Sequence, residues 1–107
     1  MAWTYLLIAS LFEIGWPVGL KLAGNAGAFS MRAVWIAFSI LCMAASGLFL
    51  LLAQREIAMG TAYAVWTGIG AVGAFAIGIA AFGDPASMMR FVSVGLIVAG
   101  VVGLKFA

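Results

Sequence analysis

Four long apolar stretches, separated only by short turns, dominate this sequence of 107 residues. A helix rises 1.5 Å per residue, so about 20 apolar residues are needed to cross a hydrocarbon core of roughly 30 Å. Each stretch has about that length. The sequence therefore predicts an all-α membrane protein, with a single four-helix transmembrane domain over residues 1–107 and helices at about residues 3–22, 33–53, 59–82 and 88–106.

The composition also indicates a lipid environment. Hydrophobic residues make up 67% of the chain and charged residues only 7%, whereas soluble domains keep roughly a quarter of their residues charged. The Lys and Arg residues lie at the edges of the apolar stretches, so we expect no nucleic-acid partner. Histidine is absent and Cys42 is the only cysteine. We therefore expect no metal site and no intramolecular disulfide. We also predict that the protein has no cofactor and is not an enzyme.

The distribution of Lys and Arg barely favours one orientation in the membrane. With four spans, both termini and the second turn lie on one side, which carries Arg55 and Lys105, while the opposite side carries Lys21, Arg32 and Arg90. Orientation follows the excess of these residues in short loops, and three against two is nearly balanced. The sequence therefore predicts dual topology, which allows two copies to meet antiparallel.

Small residues recur in the last two helices. Gly95, Ala99 and Gly103 are spaced by four residues in the fourth helix, a pattern that lets two helix backbones approach closely. It predicts dimer packing in a homodimer, although the same stripe could pack inside one protomer. In the third helix, glycines weaken the interior and predict a hinge. Close helix packing is the alternative explanation for these glycines, which are Gly68, Gly70 and Gly73.

Glu13 lies near the middle of the first apolar stretch. A charged side chain at that depth costs at least about 2.5 kcal/mol, so an intramembrane carboxyl group indicates function. Such a group can hold a proton or exchange it for a cation. The alternative is a protonated Glu13 that only makes a hydrogen bond between helices.

Aromatic and hydroxyl side chains occur at a similar depth. Trp16 lies one turn after Glu13 on the same helix face, Tyr63 and Trp66 are three residues apart, and Ser46 is midway along the second helix. We interpret them as an aromatic-lined cavity for an organic cation, and the planar guanidinium group suits a carboxylate best. Alternatively, the aromatic residues anchor the helices at the lipid interface, and Ser46 bonds to its own helix.

Several segments resemble those of a known family. They are Met1-Ala2-Trp3, Phe12-Glu13 followed by Trp16 and by Leu20-Lys21, the run GTAYAVWTGIGAVG from Gly60 to Gly73, and Gly103-Leu104-Lys105. Over essentially its whole length the chain is similar to the small multidrug resistance transporters. Trp16, three residues after the glutamate, is typical of the guanidinium exporter subtype, because the polyaromatic drug exporters carry a small residue there.

The resemblance implies an antiparallel homodimer of dual topology, a multi-pass protein of the bacterial inner membrane that exchanges protons for guanidinium or related small cations. Two central glutamates would bind either the proton or the substrate. Carried over by position, the binding residues are Glu13, Trp16, Ser46, Tyr63 and Trp66. The chain departs from the subtype at Pro17, where alanine is frequent, at Ala58, where proline is frequent, and in a longer first loop.

Three other functions remain open at this stage. One is a broader exporter of quaternary ammonium and other drug cations within the same family. Another is a proton-conducting membrane subunit, which also places one carboxylate at mid-membrane but is typically a hairpin of two helices. The third is a structural or accessory subunit, in which Glu13 would be dispensable.

Overall fold

The computed structural model describes residues 1–107 and contains four α-helices joined by short turns. They are α1 (Ala2–Asn25), α2 (Phe29–Ala53), α3 (Met59–Phe82) and α4 (Met88–Phe106). All four are long and apolar enough to cross a membrane. The predicted all-α membrane fold with four transmembrane helices is therefore confirmed, while the antiparallel homodimer stays a prediction.

The first connection is shorter than the sequence indicates. The sequence predicts that the first span ends at residue 22 and that the second begins at residue 33, but α1 continues to Asn25 and α2 already begins at Phe29. The reason is physical: a change in polarity marks where a helix leaves the lipid, not where its backbone hydrogen bonds stop. Arg32 consequently lies in the first turn of α2, where its Nη2 donates to Ala26 O at 3.3 Å.

The first two helices pack through a stripe of small side chains. Ser39, Cys42 and Ser46 are buried on one face of α2, which meets two glycines of α1. A Cβ atom at Gly15 would lie only 2.9 Å from Cys42 Sγ, and one at Gly19 would overlap Ser39 Oγ. A larger residue at either position would force the side chain of Cys42 or Ser39 to shift, so these glycines allow α1 and α2 to approach closely.

The predicted hinge glycines make close helix contacts in α3. A Cβ at Gly68 would lie 2.6 Å from Val101 Cγ2 of α4, and one at Gly73 would overlap the side chain of Ile14 in α1. Gly70 faces α1 in the same way. Because α3 is one unbroken helix, these contacts support the packing explanation, and the hinge at Gly68, Gly70 and Gly73 stays a prediction.

The fourth helix lies at the edge of the bundle. It packs against α3, and none of its residues is buried. No atom lies within 4 Å of a Cβ built at Gly95 or Gly103, and Ala99 is exposed. The stripe therefore does not pack inside the protomer, and its role in dimer packing stays a prediction.

Candidate functional site

Glu13 and Trp16 form a hydrogen-bonded pair on one face of α1. The helix brings the two side chains together because they are three residues apart. Trp16 Nε1 donates to Glu13 Oε1, and both residues are half-buried. The backbone carbonyl of Trp16 accepts a hydrogen bond from Ser39 Oγ at 2.8 Å. This bond from α2 fixes the segment of α1 that carries the pair.

An open groove of about 240 Å³ runs beside this pair. We name it the Glu13 groove, and its lining residues are Glu13, Trp16 and Pro17 of α1 with Thr67, Gly70, Ala71 and Ala74 of α3. The α3 side consists of small residues, so the groove stays open. Its polar groups are the carboxyl of Glu13, the indole N–H of Trp16 and the hydroxyl of Thr67. Such a surface offers one acidic group to a cation against an apolar background.

The other three predicted residues form a second group beside the first. Trp66 Nε1 donates to Ser46 Oγ at 2.7 Å, and Ser46 Oγ donates to Ala9 O at 2.8 Å. Ala9 lies one turn before Glu13 on α1. Because the hydroxyl of Ser46 bonds to α1 and not to its own helix, our alternative interpretation of Ser46 was wrong. The buried Ser46 therefore connects α2, α1 and α3.

Tyr63 lies further from the carboxyl group than its neighbours. Its ring centroid is 5.4 Å from that of Trp66, and its side chain is 56% exposed. It does not line the Glu13 groove. In one protomer the five predicted residues thus form two adjoining groups, Glu13 with Trp16 and Ser46 with Trp66 and Tyr63.

Two residues outside the predicted binding set also belong to this region. Ser39 supports the backbone of Trp16, and its spacing to Cys42 and Ser46 along one helix face is a signal that could have found it. Thr67 supplies a hydroxyl to the groove. Its position three residues before Gly70 places it on the same face of α3.

Residues 1–97 match the family model described as Small Multidrug Resistance protein. The chain belongs to the small multidrug resistance family. The chain is 45% identical over 107 residues to a protein of Yersinia pseudotuberculosis named Guanidinium exporter, covering 100% of this chain and 99% of that protein. Proteins with the same name from Citrobacter freundii and Salmonella typhimurium are 47% identical over 107 residues, covering 100% of this chain and 98% of each.

The matches confirm the predicted resemblance to the small multidrug resistance family and to its guanidinium exporter subtype. Relatives named as exporters are transport proteins, which points away from an enzyme. Four helices able to cross a membrane, in a family of transporters, make the chain a multi-pass membrane protein. The bacterial inner membrane suits relatives that come from enterobacteria.

Proposed function

We propose that this chain exports guanidinium ion, and small substituted guanidines, in exchange for protons. The observation that carries the proposal is the carboxyl group of Glu13. It is half-buried in a membrane-spanning helix, accepts a hydrogen bond from Trp16 Nε1 and faces an open groove. The name Guanidinium exporter, carried by similar relatives, supports the same substrate.

The chemistry of the groove suits a small planar cation. A guanidinium group presents parallel N–H donors that match the two oxygens of a carboxylate. The bond from Trp16 holds Glu13 Oε1 in place, and the indole ring offers a face to a cation. One protomer supplies a groove of about 240 Å³, which is large enough to hold a compact cation such as guanidinium.

Proton coupling follows from competition for one carboxyl group. Either a proton or a guanidinium ion neutralises Glu13, and each excludes the other. In an antiparallel pair of copies, two such glutamates would share one cavity. The loaded forms can reorient, whereas the empty form carries two unpaired charges in lipid and is too costly to do so. A proton gradient thereby drives the cation outward.

Two observations support the antiparallel homodimer. The stripe formed by Gly95, Ala99 and Gly103 faces away from the protomer, where a second helix can pack against it. The five basic residues are divided almost evenly between the two sides of the membrane, so both orientations are accessible. Each protomer would then contribute one Glu13 groove to a shared site.

Transport in reconstituted vesicles tests this function. Vesicles containing the protein are given an inward or outward pH gradient, and the movement of radiolabelled guanidinium is followed. We expect the native chain to concentrate guanidinium against its gradient and the Glu13→Gln variant to lose this activity. Glu56→Gln is the matched control, since Glu56 is an exposed residue of the second turn. Uphill transport by Glu13→Gln would overturn the mechanism.

A broader range of cations is the second candidate. The Glu13 groove is open to its surroundings, so a bulkier ion such as tetraethylammonium has room to approach. The same vesicles distinguish the two, because a guanidinium exporter transports guanidinium much faster than tetraethylammonium. A proton-conducting subunit would instead pass protons in the absence of either cation.

A further inference from the structure

We infer that the space between α1 and α3 forms one path from Glu13 to the membrane surface, and that Asp84 and Lys21 at its outer end balance the charge that an incoming organic cation meets. The inference rests on the proposed function, because it concerns how the same site is reached. The proposed access site includes Asp84 in the third turn, which joins α3 to α4 over residues 83–87. Neither Asp84 nor Lys21 is among the predicted binding residues.

A second cavity adjoins the Glu13 groove. We name it the outer cavity; it has a volume of about 150 Å³, and its lining residues are Pro17, Val18, Lys21, Ala74, Ile77, Gly78, Phe82 and Asp84. Pro17 of α1 and Ala74 of α3 line both spaces. The two spaces therefore share one lining residue on each helix and lie one after the other along the α1–α3 interface.

The path spans the same number of residues on α1 and on α3. Lys21 lies eight residues after Glu13 on α1, and Gly78 lies eight residues after Gly70 on α3. Eight residues of helix correspond to about 12 Å. The path thus leads from the middle of the membrane to its surface. Its α3 side presents small residues, namely Gly70, Ala71, Ala74 and Gly78.

The backbone of the third turn places Asp84 at the outer end. Gly83 has a φ of 69°, in the left-handed region that favours glycine. This conformation turns the chain back over α3, and the N–H of Asp84 donates to Gly78 O at 3.0 Å. A Cβ at Gly78 would overlap the carboxylate of Asp84. Two glycines therefore position one carboxylate against the end of the path.

The charges at this end have opposite signs. The chain has three acidic residues, which are Glu13, Glu56 and Asp84, and Asp84 lines the outer cavity together with Lys21. An ammonium group alone at this end would repel an approaching cation. A carboxylate that lines the same cavity offsets that repulsion, and local charge of this kind sets how often a charged ligand enters a cleft.

Charge variants test the inference through the kinetics of guanidinium transport. With Asp84→Asn, we expect the KM for guanidinium to rise about tenfold at low ionic strength while kcat stays within about twofold, because entry is affected and Glu13 is not. The increase should shrink in about 0.5 M sodium chloride, where exposed charges are screened. The double variant Lys21→Gln with Asp84→Asn should return KM to within about twofold of the native value.

Glu56→Gln is the matched control, since it removes the same charge from another short turn. An equal KM for Asp84→Asn and Glu56→Gln would overturn the inference, and so would a double variant no better than Asp84→Asn. If the native chain transported no guanidinium, the proposed function itself would fail.

Cysteine labelling tests the path without reference to any substrate. In a Cys42→Ala background, Ala74→Cys lies on the path, whereas Ala76→Cys lies at a similar depth on an exposed part of α3 outside both cavities. We expect a trimethylammonium methanethiosulfonate to modify Ala74→Cys at least about tenfold faster, because the reaction needs water and an ionised thiol. Adding Asp84→Asn to the Ala74→Cys variant should slow modification by this cationic reagent. Equal rates at the two positions would overturn the path.

Discussion

Gly70 lies so close to Glu13 that a Cβ atom at this position would be 2.7 Å from Glu13 Cγ. Carbon atoms in contact are normally about 3.5–4.0 Å apart. The absent side chain of one helix therefore decides where the carboxyl group of the other can lie. Any larger residue at this position has to displace Glu13 from the groove or separate α1 from α3.

Gly70→Ala should weaken guanidinium binding about tenfold, because a displacement of the carboxyl group breaks its geometry with the ligand. The helix itself should tolerate the change, since alanine is more favourable than glycine inside a helix by about 1 kcal/mol. Gly60→Ala is the control, because no atom lies within 4 Å of a Cβ built at Gly60. Titration calorimetry of both purified variants checks the difference, and equal affinities would contradict it.

The hydrogen bond from Trp66 to Ser46 should appear as a coupling energy. Bonds of this kind between membrane helices average about 0.6 kcal/mol and reach about 1.7 kcal/mol. We expect Ser46→Ala and Trp66→Phe each to reduce the free energy of unfolding by about 1 kcal/mol, and the double variant to lose less than their sum. Unfolding in mixed micelles measures all three. Strict additivity would contradict the prediction.

Ser93→Ala provides the reference for this cycle. Its hydroxyl donates to Met89 O in the same helix at 2.8 Å and is exposed. Removing it leaves no polar group unpaired between helices. The free energy of unfolding should therefore change by less than about 0.5 kcal/mol.

Trp16→Gly should relax the choice of substrate. The change removes the donor to Glu13 Oε1 and also the ring that occupies one side of the groove. We expect the ratio of tetraethylammonium to guanidinium transport to rise at least about tenfold, because the space grows while the guanidinium site loses its orientation. Trp16→Phe keeps most of the ring volume and should shift the ratio less. An unchanged ratio in Trp16→Gly would show that Trp16 does not limit substrate size.

Guanidinium binding should weaken as the pH falls. A proton on Glu13 removes the negative charge that the cation needs, so binding is strongest in alkaline solution and is lost toward acid. When one proton is displaced per cation, the dissociation constant rises about tenfold per pH unit on the acid side. Tryptophan fluorescence titrations across a range of pH measure this slope. The Glu56→Gln variant should show the same dependence of the dissociation constant on pH. If the Glu13→Gln variant also showed this dependence, the displaced proton would come from another group.

Bulky residues on the outward stripe of α4 should weaken dimers without disturbing the protomer. We expect Gly95→Ile with Gly103→Ile to reduce dimer affinity at least about tenfold, which corresponds to about 1.4 kcal/mol of lost packing. Energy transfer between labelled copies in vesicles measures the affinity. Gly24→Ile is the control, because it places the same side chain at another open glycine. An equal effect of both changes would contradict a specific role for the stripe.

The sequence predicts the four transmembrane helices well because their signal is local, while the role of the central carboxyl group stays a prediction. Apolar length defines a span, and the cost of charge in lipid singles out Glu13. The first turn was predicted less well. Lys21 and Arg32 mark where the chain leaves the lipid, but the helices extend past them toward Asn25 and Phe29.

Contacts between helices were beyond what the sequence indicates. The bond from Ser39 to Trp16 O joins residues that are 23 positions apart, and it exists because Gly19 lets α2 approach α1. The position of Asp84 likewise depends on Gly78 and on the left-handed Gly83. Such placements follow from the distance between helices, which no single segment encodes.

The fourth helix contributes no buried residue to the protomer, whereas the carboxyl group and its groove are built by α1 and α3. Substitutions on the outer side of α4 therefore leave the groove within each protomer unchanged and act only through the proposed pairing of two copies. Changes in pairing and changes in the groove can thus accumulate at separate positions of the sequence. After gene duplication, substitutions in this helix could give one copy a different partner chain while its substrate stays the same.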